Sequence, residues 1–288
     1  MKCLVTGGLG FLGSHLAAEL IKQNHKVTIL DKVSPNIKLD KRIKFIKADL
    51  LNKKKTELAV KNQDIVFHYG GLSGIDESMT NPLKTAEYNI MGTIRLLELC
   101  LKYKIKRFIF ASTVYVNSEQ GSFYKSSKRA TEDFIEEYKK KYNLKFTILR
   151  FGTVYGFKAN KENSIDKIIN LGIKKNKIIY SGNKKSIREY INVKDAAKMA
   201  VKTIGKMYAN KYIQITGNKK TSVIKALKTI KKELAINSKI VFQNKKNEGH
   251  YVYSPENYKI KKAVKIYLRR STPFNLGIRE IIQNKIKW

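Results

Sequence analysis

The sequence predicts an α/β fold built on a parallel sheet with helices on both faces. In the first half, short apolar runs rich in Val, Ile and Phe alternate with longer segments whose apolar residues recur at helical spacing. A glycine-rich turn joins the first of these runs to the first helical segment. Strands that alternate with helices form parallel sheets covered on both faces. The 288 residues, 42% of them hydrophobic, suffice for a large core.

The elements of the first half follow in a regular order. Strands are predicted at 2–6, 26–30, 43–50, 64–71, 106–113 and 145–151, and helices at 11–24, 82–103 and 124–142. Pro82 suits the first turn of its helix, because its missing N–H has no helical partner there.

After Gly156 the alternation loosens, which predicts a second and smaller part. Helical patterns occur near 163–175, 194–207, 221–234 and 274–285, and short strands at 178–180, 188–191, 212–215 and 239–242. We therefore divide the chain into a first α/β domain at 1–156 and a smaller α/β part at 157–288. Residues 187–204 are expected to pack back on the first domain.

The formal net charge of +36 raises the question of a nucleic-acid partner. Of the 59 basic residues, 50 are Lys and 9 are Arg, and they are spread along the whole chain. Nucleic-acid readers more often concentrate Arg and aromatic residues on one surface. A solvated, Lys-rich surface is therefore the favoured interpretation, and RNA binding by a non-catalytic protein stays open as the alternative from another class.

Composition also bears on the compartment. No apolar run approaches the roughly 18 residues that cross a bilayer, and the apolar stretch before the first glycines is too short for a secretory signal. The only cysteines, Cys3 and Cys100, lie in apolar segments and are expected to be buried and reduced. The four histidines show no ligand spacing. These features predict a cytoplasmic protein with no membrane segment and no metal site.

The stretch "TGGLGFLG" (6–13) predicts a phosphate-binding loop, because it follows a strand and opens a helix. Glycines let the backbone approach a pyrophosphate, and the helix N-terminus offers free N–H groups and a partial positive charge. Two glycine frames fit, one starting at Gly7 and one at Gly8. Asp31, 18 residues after Gly13, ends the next strand, where a carboxylate binds ribose hydroxyls and disfavours a 2′-phosphate. NAD is thus the predicted cofactor, with Lys32 weakening the preference over NADP.

A second motif, "YKSSK", supplies reacting groups. Tyr124 and Lys128 are four residues apart and so lie on one helix face. A phenol has a pKa of about 10, which a nearby ammonium and a positive nicotinamide ring would lower. Tyr124 is therefore the predicted general base and Lys128 its partner. The fifth predicted strand ends in Ser112 and Thr113, whose hydroxyls are expected to bind the substrate.

With these motifs the chain resembles the extended short-chain dehydrogenases/reductases, specifically their NAD-dependent nucleotide-sugar epimerases and dehydratases. That family writes its loop T-G-x-x-G-x-x-G, matched here by Thr6, Gly7, Gly10 and Gly13. The resemblance continues through "ADL" (48–50), "NPLKTAEYNIMGTIRLLELC" (81–100), "LRFGTVYG" (149–156), "REYINVKDAA" (188–197) and "STPFNLGIREII" (271–282). It implies a Rossmann-type, doubly wound parallel sheet in an NAD-binding domain at 1–156, and a smaller substrate-binding part at 157–288.

The resemblance also implies further site residues. Phe11 and Leu12 join the loop glycines in binding NAD, Asp49 and Leu50 flank the adenine, and Asn89 stands in the family's characteristic place. Gly70 and Gly71 permit a close backbone approach beside the nicotinamide phosphates, although Tyr69 adds bulk. Lys128 contacts the nicotinamide ribose, and Thr113 stands at the family's catalytic Ser/Thr position, with Ser112 as the second candidate. Arg188 corresponds to the arginine that grips the nucleotide diphosphate, a task that suits a bidentate guanidinium.

Several reactions occur in this family, and the residues favour one of them. Val114 and Tyr115 follow Thr113, where 4,6-dehydratases carry Asp-Glu, and the Glu of decarboxylases is missing. We therefore expect epimerisation of a nucleotide-diphosphate sugar through a 4-keto intermediate, with an NAD(P)H-dependent keto-sugar reductase or a dehydratase as alternatives. Only ten residues separate Thr113 from Tyr124, so a substrate-side loop is short. The family's usual homodimer would form through helices 82–103 and 124–142.

Overall fold

The computed structural model describes residues 1–36, 38–159, 163–243 and 262–286. Within these ranges the strands are β1 (Lys2–Thr6), β2 (Lys26–Asp31), β3 (Ile43–Lys47), β4 (Ile65–His68), β5 (Arg107–Thr113), β6 (Phe146–Phe151), β7 (Thr153–Tyr155), β8 (Ile179–Ser181), β9 (Ile187–Arg188), β10 (Tyr190–Asn192), β11 (Lys211–Ile215), β12 (Thr221–Ser222), β13 (Val241–Gln243) and β14 (Val264–Lys265). The α-helices are α1 (Phe11–Lys22), α2 (Lys53–Val60), α3 (Ile75–Thr80), α4 (Pro82–Ala86), α5 (Gly92–Lys102), α6 (Ser122–Tyr142), α7 (Ser164–Lys175), α8 (Val193–Lys202), α9 (Val223–Glu233) and α10 (Phe274–Ile286).

Eight of these strands form one sheet in the order β14-β11-β6-β5-β4-β1-β2-β3, and every neighbouring pair is parallel. The strand order reverses direction at β1, so that the crossovers place helices on both faces. The predicted doubly wound parallel α/β fold is confirmed. In the described ranges, no helix is both long and apolar enough to span a bilayer.

The alternation of side chains along the strands divides the core between the two faces of the sheet. One face packs against α1 and α8, with Leu16, Leu20 and Met199 in its core. The other packs against α2, α5 and α6, with Leu96, Cys100 and Ile135. A third cluster joins α7, α9 and α10 away from the sheet. Buried strands in parallel sheets carry apolar residues on both faces, which explains their nearly continuous apolar runs.

The second half of the chain contributes to the large sheet. β11 pairs with β6 along its whole length, from Lys211↔Thr147 to Ile215↔Phe151. β14 pairs with β11 in turn. α8, from the stretch expected to pack back, shares a cluster with α1 through Val193, Ala196 and Ala200. The division of the chain at Gly156 stays a prediction, and the strands on its C-terminal side extend the sheet of its N-terminal side.

Several predicted elements differ in their extent: the strand predicted at 64–71 is β4 (Ile65–His68), and the one predicted at 188–191 is divided between β9 and β10. The strand predicted at 43–50 ends at Lys47, because the Asp49 side chain accepts a hydrogen bond from the Leu51 N–H (2.8 Å) and turns the chain. The helix predicted at 82–103 contains a π-helical turn at Glu87–Met91 between α4 and α5. Turns of this kind occur frequently at functional sites.

Candidate active site

A cavity of about 890 Å³ opens at the carboxyl ends of the parallel strands. Its wall runs from the end of β2 past β1, β4 and β5 to the end of β6, and then to residues of α7, β8 and α9. In open parallel sheets, ligands bind in this crevice, next to the point where the strand order reverses. The size is that of a site for molecules as large as a cofactor and substrate together.

The glycine loop forms the floor of this cavity. Gly7 has φ +66°, and a side chain on Gly13 would place its Cβ 2.1 Å from the Gly7 carbonyl oxygen. Gly10 precedes the first turn of α1, so the N–H groups at the start of that helix lack helical partners. Gly7, Gly10 and Gly13 line the cavity together with Phe11 and Leu12.

Gly8 is not among the cavity-lining residues and packs against Ile29, where a Cβ would lie 2.7 Å from a side-chain carbon. The structure therefore favours the frame that starts at Gly7. A bare backbone and a helix N-terminus facing a cavity form an anion cradle. This cradle fits the pyrophosphate of a dinucleotide.

Asp31 lies beside this cradle at the end of β2. Its Oδ2 accepts a hydrogen bond from the Leu9 N–H at 2.9 Å, and its Oδ1 accepts one from the Val33 N–H at 3.3 Å. The carboxylate lines the cavity and retains acceptor capacity for ribose hydroxyls. Leu50 also lines the cavity, whereas Asp49 does not: its Oδ2 accepts the hydroxyl of Tyr88 at 2.6 Å. Tyr88 instead faces the cavity, a neighbour that the sequence pattern did not indicate.

Gly70 and Gly71 line the cavity, but Asn89 lies behind them. Its Oδ1 accepts the Leu72 N–H at 2.8 Å, and its amide donates to the Leu72 carbonyl and to Ser127 Oγ, each at 3.0 Å. Both amide hydrogens are therefore engaged, and the side chain is 1% exposed. Asn89 thus holds the loop after β4 to α6, and its contact with the cofactor stays a prediction.

His68, beneath these glycines, fixes their position through a chain of hydrogen bonds. Thr6 Oγ1 accepts the Gly70 N–H at 3.0 Å and lies 2.7 Å from His68 Nδ1. On the other side, His68 Nε2 lies 2.9 Å from Thr93 Oγ1, whose proton goes to the Asn89 carbonyl. Nε2 therefore carries the proton and Nδ1 accepts from Thr6. Burial lowers the pKa of His68 to about 3, so the ring is neutral.

Tyr124 and Lys128 of α6 come together with Thr113 at the end of β5, and all three line the cavity. Thr113 ends β5, and its hydroxyl makes a hydrogen bond with the phenol of Tyr124. The Lys128 ammonium lies 4.6 Å from the centre of the Phe110 ring and 6.0 Å from that of Tyr124. The structure thus assembles the hydroxyl, phenol and ammonium that the sequence singled out.

Burial dominates the ionisation of this group. It raises the pKa of Tyr124 to about 12, against the opposing effect of the hydrogen bond from Thr113. It lowers the pKa of Lys128 to about 8, against the opposing effect of Glu132. We expected Lys128 to lower the pKa of Tyr124; here Thr113 is the side chain that does so. A nearby positive charge, such as a bound nicotinamide ring, would also favour the phenolate.

Ser112 lines the cavity, but its hydroxyl faces into the protein. It donates to Glu132 Oε1 at 2.5 Å, and the side chain of Glu132 also binds Arg150. Ser112 is 3% exposed. The buried carboxylate takes its proton, and the substrate-binding role expected for Ser112 stays a prediction. Glu132 and Arg150 were not singled out from the sequence, since each lies inside an ordinary helix or strand pattern.

Arg188 lies in the other half of the cavity wall, in the short strand β9. Its Nη1 donates to the Ile187 carbonyl at 3.0 Å, and the residue is 9% exposed. Lys167 of α7 lines the same half and adds a second positive charge that the Lys-rich sequence concealed. Two cations on one wall suit a ligand with a phosphate or diphosphate.

A dinucleotide cradle that shares one cavity with a Tyr–Lys pair and a strand-end threonine defines a short-chain dehydrogenase/reductase site, as the sequence resemblance implied. The family model that matches residues 3–215 is the NAD dependent epimerase/dehydratase family. The chain belongs to this family, and NAD is its cofactor.

Individual relatives cover nearly the whole chain. A putative UDP-glucose 4-epimerase of Methanocaldococcus jannaschii is 28% identical over 300 residues, which is 97% of this chain and 96% of the relative. An uncharacterized UDP-glucose epimerase of Bacillus subtilis is 30% identical over 257 residues, 80% of this chain and 81% of the relative. The crystal structure of UDP-glucose 4-epimerase from Thermotoga maritima superposes with a TM-score of 0.85 at 24% identity, covering 100% of this chain and 99% of that one.

Proposed function

We propose that this enzyme epimerises a nucleotide-diphosphate sugar at C4 through a transient 4-keto sugar, with NAD held throughout. The observation that carries the proposal is the single cavity that runs from the glycine loop past Tyr124 to Arg188. It offers places for a dinucleotide and for a second, diphosphate-bearing ligand on either side of one base. The named activities of the relatives, UDP-glucose epimerases, support the same reaction class.

Each residue of the site has a role in this reaction that is consistent with its contacts. Tyr124 removes the proton of the C4 hydroxyl and later returns it, and Thr113 donates a hydrogen bond that favours the phenolate. Lys128 supplies positive charge beside the phenol and contacts the ribose of the cofactor. Bound NAD supplies the hydride acceptor and donor. Asp31 and the glycine loop hold it, and Arg188 with Lys167 binds the diphosphate of the sugar nucleotide.

Of the two alternatives within the family, only the dehydratase requires groups that this strand end lacks. A 4,6-dehydratase needs an acid and a base to eliminate water, and β5 is followed instead by Val114 and Tyr115 in a 3₁₀ turn. Val114 is buried, and neither side chain is a carboxylic acid. A reductase would use the same Tyr124 and Lys128 but would release oxidised cofactor at each turnover. Net oxidation of NADH or NADPH during turnover therefore distinguishes a reductase from an epimerase.

The test is to incubate the purified protein with UDP-galactose, add no cofactor, and measure UDP-glucose. We expect interconversion that Y124F abolishes, with NAD recovered from the denatured enzyme in unchanged amount. A matched control is Y142F, at an exposed position on the same helix. Stoichiometric oxidation of NADH in a second assay that supplies a UDP-4-keto sugar, with no epimer formed from UDP-galactose, would contradict the epimerase proposal and favour the reductase.

We further propose a homodimer formed through 82–103 and 124–142. Large apolar side chains on these segments are exposed: Leu83 is 86%, Met91 47% and Phe134 41% exposed. Covering them against a second copy would remove apolar surface from water. Light scattering after gel filtration should give twice the mass of the 33.1 kDa chain, and F134E should halve it. A monomeric wild-type protein would refute this arrangement.

The cytoplasmic location stays a prediction, which the two buried free thiols support.

A further inference from the structure

The two catalytic residues of α6 belong to a longer row. Tyr124, Lys128 and Glu132 are spaced four residues apart, so their side chains leave the same helix face, which packs on β5 and β6. Lys128 is 6% and Glu132 1% exposed. A buried carboxylate thus lies one turn beyond the buried ammonium.

Glu132 accepts hydrogen bonds from side chains of β5 and β6, the two strands that end beside the catalytic residues. Its Oε1 accepts the Ser112 hydroxyl at 2.5 Å and the Arg150 Nε–H at 3.1 Å, and its Oε2 accepts Arg150 Nη2 at 2.6 Å. Ser112 and Arg150 are register partners across β5 and β6. Thr113 is the next residue along β5. The carboxylate therefore joins the helix that carries Tyr124 and Lys128 to the strand that carries Thr113.

This network is a poor way to gain stability. Both charged side chains are only 2% exposed, and a buried ion pair can often be replaced by apolar groups without loss. The arrangement does, however, fix the height and rotation of α6 relative to β5. The hydrogen bond between Thr113 and Tyr124 depends on that relation.

We propose that Glu132 is a positioning residue for catalysis, which locks the Tyr124–Lys128 face of α6 to the end of β5 and supplies the negative charge that holds the buried Lys128 ammonium. The inference rests on the proposed function for its catalytic readout. Glu132 acts through Ser112, Arg150 and Lys128 and does not line the cavity itself.

The other charged or titratable groups around Lys128 come from every element that packs near it. Tyr124 on α6 and His68 on β4 lie near its ammonium, Arg150 on β6 is bound to Glu132, and Asp76 on α3 and Tyr115 in the 3₁₀ turn line the same cavity. His68 is neutral above acid pH, and Arg150 is paired with Glu132. On α5, Glu98 is bound by Tyr138, further along α6. Glu132 is the acidic group that raises the pKa of Lys128 against burial.

The test compares variants that remove, keep or move the carboxylate charge. E132Q alone leaves the Arg150 guanidinium buried without its carboxylate, so the test variant is the paired replacement E132M with R150M. E132D keeps the charge at this position. D195N removes another buried, hydrogen-bonded carboxylate on α8, away from the row, and is the matched control for lost stability.

The primary readout is the pH dependence of kcat for epimerisation. Lys128 loses its proton at alkaline pH, and without the negative charge it should do so at lower pH. We expect the alkaline limb to move down by about one pH unit in the paired variant, with KM little changed. E132D and D195N should keep the wild-type limb. A paired variant that folds and keeps the wild-type limb would overturn the proposal, as would an equal shift in E132D.

A second readout does not need the sugar substrate. The fraction of NAD retained after dialysis is measured between pH 7 and 9 for the same proteins. NAD should leave the paired variant about one pH unit below the wild type and D195N. If no epimerase activity is found, the proposed function fails, while this shift in NAD retention still supports the role of Glu132 in holding Lys128. Equal NAD-retention profiles in all of the proteins would refute that role of Glu132.

Discussion

Replacing Thr113 by valine tests the smallest change in the candidate site that alters its chemistry. Valine keeps the branched shape and removes the hydroxyl that makes a hydrogen bond with Tyr124. Thr113 is 4% exposed, so water cannot simply take its place. Burial already raises the pKa of Tyr124 to about 12, and the hydrogen bond from Thr113 works in the opposite direction. T113V should therefore make the phenolate still less accessible.

The magnitude follows from the kind of bond that is lost. A hydrogen bond to a charged group contributes about 1.5–3 kcal/mol. Because this one strengthens as the phenol gives up its proton, the loss should appear in kcat, by a factor of about 10 to 150. The Thr113 hydroxyl also accepts the Tyr115 N–H at 3.2 Å, which caps the following turn. Losing that cap costs about 1 kcal/mol of folding stability, which is a separate effect.

The assay is steady-state epimerisation across pH 6 to 9, with thermal unfolding measured in parallel. We expect kcat of T113V to fall at every pH, KM to change little, and T113S to retain most of the activity because it keeps the hydroxyl. The reasoning would be refuted if T113V kept kcat within twofold of the wild type. It would also fail if T113S lost as much as T113V.

Three further outcomes are expected. G13A should weaken NAD binding about tenfold or more, because its Cβ would lie 2.1 Å from the Gly7 carbonyl oxygen. The control G205A, whose Cβ would meet its nearest atom at 3.4 Å, should bind NAD normally. Equal NAD affinities of the two variants by calorimetry would contradict this prediction. D31A should lower NAD affinity about tenfold by equilibrium dialysis, since it removes a charged acceptor at the end of β2; unchanged affinity would count against the ribose contact. The free energy of unfolding of the NAD-free protein should fall as the pH drops from about 6.5 toward 3, by up to about 1.4 kcal/mol per pH unit. The reason is that the pKa of His68 is about 3 in the folded protein, so the unfolded chain takes up the proton first. Urea titrations in which the unfolding free energy of H68N depends on pH as steeply as that of the wild type would refute this prediction.

The sequence predicted the parts of the site that one segment encodes. The glycine loop, Asp31 and the Tyr124–Lys128 pair each lie within one strand, turn or helix, and their spacing sets their geometry. The parallel sheet followed from the alternation of apolar runs and helical patterns in the same way. Local order of this kind can be read from residue spacing, because helix and strand periods are fixed.

Other parts depend on contacts between distant segments, which spacing does not reveal. From the sequence, the hydroxyl of Ser112 at the end of a strand is expected to be free to bind the substrate. Only the structure shows that it donates a hydrogen bond to Glu132, which lies 20 residues later in the chain, on α6. Asn89 was placed on the cofactor by resemblance, yet its amide is used by Leu72 and Ser127. Tyr88 faces the cavity because a π-helical turn rotates the segment that carries it.

The position of β11 restricts how this enzyme can move. β11 is hydrogen-bonded along β6, and Arg150 and Phe151 of β6 lie between it and the catalytic end of β5. The chain beyond Gly156 is therefore anchored in the same sheet that carries the cofactor cradle, and α8 adds a second anchor on α1. A hinged swing of one half away from the other would break both anchors. Substrate entry, release and the turning of a keto sugar must then use displacements of α7, α9 and their loops over a rigid floor, and hydrogen-exchange protection should be lower in those two helices than in β5, β6 and β11.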